Sequence, residues 1–414
     1  MRLNKVLINI PKTEVALLLA SQGSQYLSSF AIIKILASNY SVENFGLYNL
    51  VLTACFVLSM FPFTAFDQIL NREITMNEGA KKGLGTYFTG YGLLLIITHV
   101  IFLTCLFLLP KRLSDVIGVI ILFSITNIIK TTSLGTLNFT GNRKGFNLLK
   151  IIDNAARVII VAAYYRYNDV STLFFYLSLE NIILVVFWGI IYRNFIGSFN
   201  LKKTIPTLKL LLVASAPLLI WAPFEMIQNN LYIYFLEYNG FKNDVGYFSF
   251  FNNLSLVVPA GIAGLLNTYM LPRLYEKTKI QSFEAVNRFL LKFVMTYLVL
   301  VILSYVLIRF NLVVVLKFIS KPEYLSQAKL FDWFFAANLL FNTSLIVTNI
   351  FFAYNQQKYL IVVKTFPGLI ALISLLIFTP TYGLYCMTWI FLGVSIIQLI
   401  ILTLSFHKLK QKLI

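Results

Sequence analysis

The sequence predicts an all-α polytopic membrane protein of about twelve transmembrane helices in two pseudo-symmetric six-helix bundles. Three observations predict it. Hydrophobic residues make up 58% of the chain and charged residues 12%, about half the roughly 25% charge of a soluble protein. Apolar runs of about 20 residues recur, each long enough to cross the ~30 Å hydrocarbon core as a helix, whereas barrel strands would alternate in ~10-residue pieces. Finally, one short signature occurs twice, as "ENFGLYNL" from Glu43 and "NDVGYFSF" from Asn243.

Runs bounded by polar or charged clusters place the spans at 15–37, 46–67, 84–109, 113–139, 146–165, 170–192, 208–236, 245–270, 285–308, 326–352, 357–378 and 383–406. The net charge of +18 would suggest nucleic acid in a soluble protein. In a membrane protein it reads as cytoplasmic loop cations. With the N-terminus inside, one set of loops holds about 18 Lys and Arg, among them Arg2, Lys5, Lys12, Arg72, Lys81, Lys82, Arg143, Lys144, Arg193, Lys202 and Lys203, against about 6 in the opposite set. Both termini are therefore expected in the cytoplasm. The long first span, with no small-residue cleavage site, does not read as a removable signal peptide. Cys55, Cys105 and Cys386 lie inside apolar runs without CxxC spacing, and His99 and His407 lack an HExxH setting. Neither disulfides nor a metal centre is expected.

The paired signatures put Gly46 at the start of the second span and Gly246 at the start of the eighth. Pro62 and Pro259 interrupt those spans, and Arg72 and Arg273 follow them. Farther on, "GNRKGFNLLK" aligns with "NQQKYLIVVK", matching Lys144 to Lys358 and Lys150 to Lys364. The chain thus divides into parallel six-helix lobes, 1–200 and 201–414. Transporters built this way bind cargo between repeats and rock one bundle against the other.

Several charges fall within the spans, where each costs about 2.5–3.5 kcal/mol on insertion scales. Lys150, Asp153, Arg157 and Tyr164 form one stripe of the fifth span, within about 60° of one another. Asp153 and Arg157 are spaced i,i+4 with the acid first, the better order for a pair. They are either a self-satisfied docking pair or a cavity arginine with its orienting acid. The fourth span offers Asn127, Lys130, Thr131 and Asn138 on one face. Lys34 points away from the polar face of Ser21, Gln25 and Ser28 and suits snorkelling better, though it remains a candidate cation. Glu180 and Glu225 are candidate acids for carrying a coupling ion. Glu225 shares a stripe with Trp221, Asn229 and Tyr232. Asn338, Asn342 and Asn349 share a face suited to interhelical hydrogen bonds.

"FGLYNL", following a first span with "QGSQYLSSF", resembles the start of polysaccharide and O-antigen flippases of the Wzx type. "PLLIWAPFEMIQNNLYIYFLEYNGFKNDVGYFSFFNNL" looks like the opening of their second half. These flippases belong to the multidrug/oligosaccharidyl-lipid/polysaccharide exporter superfamily. The resemblance spans nearly the whole chain in length, span number and repeat arrangement, and its motifs are loose. An acid–Arg pair common in the family's second half is replaced here by "QNNLY". The resemblance implies a flippase carrying a polyprenyl-pyrophosphate-linked oligosaccharide, an O-antigen repeat unit, across a bacterial inner membrane, with a polysaccharide polymerase as possible company. Arg157, Lys130, Lys364, Lys150 and Lys34 are then the substrate-binding cations. Asp153, Glu225 and Glu180 are the orienting or ion-coupling acids, and Asn127, Tyr164, Asn229 and Tyr232 line the cavity. No organic cofactor is implied, and H⁺ or Na⁺ is the candidate coupling ion. A cation-coupled drug antiporter of the same superfamily is the nearest alternative. A membrane polymerase or ligase is less well matched, because such enzymes usually carry a large outside loop.

Overall fold

The computed structural model describes residues 12–59, 63, 66, 67, 70, 84–104, 111–139, 142–192, 201–354 and 356–413. Pro62, Arg72, Cys105, Arg2, Lys5, Lys81, Lys82 and Arg193 lie outside them. Among the described residues the regular structure is helical: α1 Lys12–Asn39, α2 Val42–Ser59, α3 Leu84–Thr104, α4 Lys111–Ser114, α5 Ile117–Phe139, α6 Arg143–Tyr164 and α7 Val170–Tyr192. There follow α8 Leu201–Asn230, α9 Tyr232–Tyr238, α10 Lys242–Ile280, α11 Phe283–Phe310, α12 Leu312–Ile319, α13 Leu330–Ala353 and α14 Lys358–Leu413.

Eight of these segments are both long and apolar enough to cross a membrane. One of them, α14, has 56 residues, or ~84 Å of helix at ~1.5 Å per residue. That is more than twice the ~30 Å hydrocarbon core, so it cannot be one crossing. It breaks at Gly383, whose φ of 54° is a left-handed conformation that glycine adopts without a Cβ clash. The arm after the break opens with the Leu384 N–H donating to Asp244 Oδ2 at 3.2 Å. An acid from the second glycine signature thus caps the last helix, satisfying a donor that its own helix cannot. α1, α6 and α8 are long enough to cross as well. The protein is an all-α, multi-pass membrane protein. Its lipid-facing surfaces carry exposed Ile96, Ile97, Val100 and Ile101 on α3 and Met295, Val299, Leu303 and Leu307 on α11.

Two expectations about helix continuity change. α10 runs through Pro259 without interruption. The seventh span divides at Leu231 into α8 and α9.

Contacts group the chain into two compact units. The first contains 1–32, 62–107 and 116–215, and the second contains 33–61, 108–115 and 216–414. In the first unit the polar face of α1 docks on α6: Ser21 Oγ donates to Asn147 Oδ1 at 2.8 Å, and Asn154 Nδ2 donates to Ser24 Oγ at 2.9 Å. Leu134, Leu137, Leu149, Leu184 and Trp188 close an apolar core among α5, α6 and α7. At the start of α7, Asp169 accepts from the Ser171 and Thr172 N–H groups and the Thr172 hydroxyl. Partial burial raises the Asp169 carboxyl, and these bonds outweigh it and hold it below its ordinary range.

In the second unit the two glycine signatures meet each other. A Cβ on Gly46 would lie 2.9 Å from the Gly246 nitrogen, and one on Gly246 would lie 2.0 Å from the Val42 carbonyl oxygen. α2 and α10 therefore cross with backbones in contact, the arrangement that small residues allow between membrane helices. One turn or two farther along, Asn253 Nδ2 donates to Asn49 Oδ1 at 2.8 Å. Amide pairs continue from α10 to α13, with Asn338 Nδ2 donating to Asn252 Oδ1 at 3.1 Å and Asn349 Nδ2 to Asn267 Oδ1 at 3.0 Å. Gly246→Ala should force α2 and α10 apart and lower stability by about 1–3 kcal/mol. Thermal unfolding in detergent measures it, with Gly92→Ala, where a Cβ meets nothing within 4 Å, as the unaffected comparison.

Candidate functional site

The fourth, fifth and sixth spans, α5, α6 and α7, bring four charges together inside the first unit. α5 supplies Lys130, α6 supplies Asp153 and Arg157 one turn apart, and α7 supplies Glu180. Lys130 Nζ donates to Asp153 Oδ1 at 2.7 Å, and Arg157 Nε donates to the same oxygen at 3.1 Å. Glu180 Oε2 faces Lys130 at 3.8 Å and Arg157 at 3.9 Å, distances that carry Coulomb attraction without a hydrogen bond. Arg157 Nη2 also reaches Asn127 Oδ1 at 3.5 Å.

Two cations and two carboxylates balance. Removing charge from water costs several kcal/mol per ion, and pairing recovers that only where geometry and hydrogen bonds are good. Burial is uneven across the group. The Lys130 side chain is 2% exposed and Glu180 6%, whereas Arg157 is 29% exposed. Lys130 is thus the internal counterion, and Arg157 is the group with free donors turned toward open space. A guanidinium has five donors in a planar fork, and here Asp153 and Asn127 leave part of that fork unused. This arrangement suits an anionic ligand with paired oxygens, which Arg binds in bidentate fashion.

The other predicted residues fall elsewhere. Lys150, one turn before Asp153, lies against the Phe146 ring, its Nζ 5.9 Å from the centroid. Tyr164 ends α6 and stacks on Tyr176 with centroids 3.7 Å apart, one turn of α7 from Glu180, so it meets α7 as Arg157 does, through an aromatic contact in place of a charged one. In the second unit Lys364 Nζ donates to Glu225 Oε1 at 2.7 Å and lies 5.4 Å from the Phe341 centroid. These two residues neutralise each other. Tyr232 packs its ring on Phe248 at 5.6 Å and Phe391 at 5.4 Å and is 1% exposed; it is a core residue. Asn229 is half-buried at the end of α8. Lys34 Nζ sits 3.4 Å from the Phe318 centroid, a cation–π contact in the second unit.

Sequence reasoning missed two polar groups. Arg112 on α4 pairs with Glu237 at 3.2 Å and Glu43 at 3.6 Å, and Lys242 approaches Glu43 at 3.7 Å. The acids and Lys242 flank the two glycine signatures, which was the available signal. Asp67 accepts hydrogen bonds from Tyr91 and Thr132; at the end of an apolar run it carries no sequence signal that sets it apart from a loop acid. His99 is engaged with Ser124 Oγ at 2.8 Å. A groove of about 540 Å³ between the arms of α14 is lined mainly by apolar residues including Ile370, Phe378, Trp389 and Val394.

Solved structures of membrane transporters share the fold of this chain. Lipid II flippase MurJ in an inward closed conformation has a TM-score of 0.75 at 15% identity, covering 95% of this chain and 87% of that one. An inward-facing multidrug resistance MATE family transporter of the MOP superfamily has a TM-score of 0.71 at 13% identity, covering 97% and 98%. A MOP superfamily transporter from Pyrococcus furiosus, described as having a binding pocket of reverse polarity, gives 0.66 at 13% identity over 97% and 94%. The chain itself belongs to the polysaccharide biosynthesis protein family, whose model matches residues 12–278. No curated protein matches the sequence.

Lys130→Met should destabilise the first unit by about 3–5 kcal/mol, because it strands acids that share only one remaining cation. Adding Glu180→Gln restores the balance and should recover much of that loss, a coupling read from a double-mutant cycle on denaturation in detergent. In the second unit Lys364→Met and Glu225→Gln should behave the same way, each costly alone and milder together.

Proposed function

We propose that this protein is a flippase, a transporter and not an enzyme. It moves a polyprenyl-pyrophosphate-linked oligosaccharide, an O-antigen-type repeat unit, from the inner to the outer leaflet of a bacterial cytoplasmic membrane. The observation that carries the proposal is Arg157, a partly open arginine held by Asp153 in the middle of a membrane helix, in a member of a polysaccharide biosynthesis family. A pyrophosphate offers oxygens in the spacing a guanidinium fork takes, and it needs a cation that stays charged in a dry setting. Lys130 supplies the second positive charge. Asp153 orients Arg157, Asn127 steadies it, and Glu180 is the acid held most loosely.

The balanced cluster has a consequence for transport. Both cations already face carboxylates, so a bound pyrophosphate competes with Asp153 and Glu180, and release is as accessible as capture. Neutralising Glu180 would leave a net positive site and favour the anion, which links cargo binding to an H⁺ or Na⁺ cycle. The groove between the arms of α14 has the apolar lining that an isoprenoid chain needs. Alternating access of two six-helix lobes, 1–200 and 201–414, would carry the head group across, with both termini in the cytoplasm and a polymerase receiving the product. The cation-coupled antiporter remains the second reading, favoured by the two acids in the cluster and by the likeness of fold to a multidrug transporter.

The test follows lipid-linked oligosaccharide in sealed vesicles of known orientation from cells lacking the gene, using a membrane-impermeant sugar-modifying reagent. Cargo should accumulate in the cytoplasmic leaflet. The intact gene should reverse this and Arg157→Gln should not. Accumulation in the outer leaflet would reject flipping, and full activity of Arg157→Gln would remove that residue from the site.

A further inference from the structure

The buried and half-buried acids of the spans differ in the company they keep. Asp153 bonds Lys130 and Arg157, Glu180 faces the same two cations, and Glu225 bonds Lys364. Asp67 has none of this. Among the described residues no Lys or Arg lies within ion-pair distance of it. Its partners are two hydroxyls: Tyr91 of α3 donates to Asp67 Oδ1, and Thr132 of α5 donates to the same oxygen at 3.1 Å.

The difference is chemical. Lysine and arginine only donate, so when a carboxylate beside them takes up a proton the ion pair is lost and the new O–H finds no acceptor on the cation. A hydroxyl donates and accepts. When Asp67 is ionised, Tyr91 and Thr132 donate to it. Once it is protonated, its own O–H can donate to a hydroxyl oxygen after a rotor turns, and both states remain hydrogen-bonded without moving a helix. Buried polar groups without partners are costly, so a site satisfied in both states can take up and release a proton with little structural penalty.

We propose that Asp67, with Tyr91 and Thr132, is a proton-binding site of the first unit, separate from the four-charge cluster. Its walls fit the role. The Tyr91 ring packs against Phe63 at 5.8 Å and Phe66 at 6.4 Å, and Tyr91 and Thr132 are buried. The titratable groups on the packing helices are otherwise engaged. His99 of α3 lies two turns beyond Tyr91 and bonds Leu95 O and Ser124. Lys130 of α5 is two residues from Thr132 and is turned to Asp153 and Glu180. Through α5 the proton site and the charged cluster hold neighbouring positions of one helix, one on each side. Proton uptake at Asp67 changes a charge-assisted bond to Thr132 into a neutral one, and the segment carrying Lys130 is the first to feel it.

The experiment uses the full chain in proteoliposomes and infrared difference spectra between alkaline and acidic pH. A carbonyl-stretch band of a protonated carboxylic acid should grow on acidification. The component due to Asp67 should be lost in Asp67→Asn and kept in Glu180→Gln and in Asp169→Asn, which changes an acid outside the spans. Tyr91→Phe and Thr132→Val keep the carboxyl but should shift the band, because they remove its hydrogen-bond partners. These two variants keep the test decisive if Asp67→Asn misfolds. A band unchanged in every component in Asp67→Asn, or unmoved in both hydroxyl variants, overturns the proposal. Loss of the band on adding Na⁺ at constant pH overturns it in favour of a metal-cation site. Neither result depends on what the protein carries, so this test can fail while the flippase reading stands, and the reverse.

Discussion

A charge inside hydrocarbon has to find its partner within the protein, and the polar architecture of this chain follows from that constraint. Each insertion penalty is only a few kcal/mol, but an unpaired charge among packed helices adds the loss of every hydrogen bond that water would have made. The three helices that carry Lys130, Asp153, Arg157 and Glu180 can therefore pack only in the register that brings these residues together. Asp153 is the centre of the group because both cations donate to one of its oxygens. Lys364 and Glu225 solve the same problem with a single short contact. The result is charge neutrality at each place, with Arg157 as the member that retains free donors.

Apolar burial cannot discriminate between helix partners in a membrane, since lipid tails are as apolar as leucine. Close approach and polar contacts do so instead. α2 and α10 show both: a glycine pair with no room for a Cβ, then the Asn49–Asn253 bond on the adjoining turns. The amide pairs to α13 extend the pattern. Asp244 joins it to the final helix by capping Leu384 beside Gly383, so one signature serves two junctions. This explains why an acid or amide precedes the glycine in each copy. The glycine sets how near the helices come, and the preceding polar residues tie that end of the crossing to neighbouring segments, through Glu43 to Arg112 in one copy and Asp244 to Leu384 in the other.

Much of this was legible in the sequence, and what was not has physical causes. Helical period placed Lys150, Asp153 and Arg157 on one stripe because a helix has a fixed pitch. Tyr164, at the end of the same stripe, also meets α7, through Tyr176; Tyr232 is in the core because Phe248 and Phe391 of other helices cover it, which no period within its own helix could show. The repeat of Gly46 and Gly246 could be read, but their mutual contact could not, since spacing within a helix says nothing about which helix lies opposite. For the same reason Lys130–Asp153 and Lys364–Glu225 needed three dimensions. α1 and α6 carry polar residues because these face each other, Ser21 to Asn147 and Ser24 to Asn154, which weakens the hydropathy signal in segments that matter to the chemistry.

The kinds of partner around each acid also sort the acids by what they can do. A carboxylate held by donors alone is fixed in its ionised state and serves as structure; Asp153 is the clear case. Glu180, at Coulomb distance from two cations but beyond hydrogen-bond range, is held by charge without direction. It can lose its charge or move without breaking a geometric contact. Asp67, with amphoteric hydroxyls, can change protonation and keep its bonds. In the proposed transport cycle the three behaviours have separate uses: a fixed anchor for Arg157, an acid whose neutralisation changes the net charge of the site, and a place for a proton to reside. These three acids lie in one compact unit, two of them on helices that touch α5 through Lys130 and the third through Thr132. α5 is thus the element that all three acids contact.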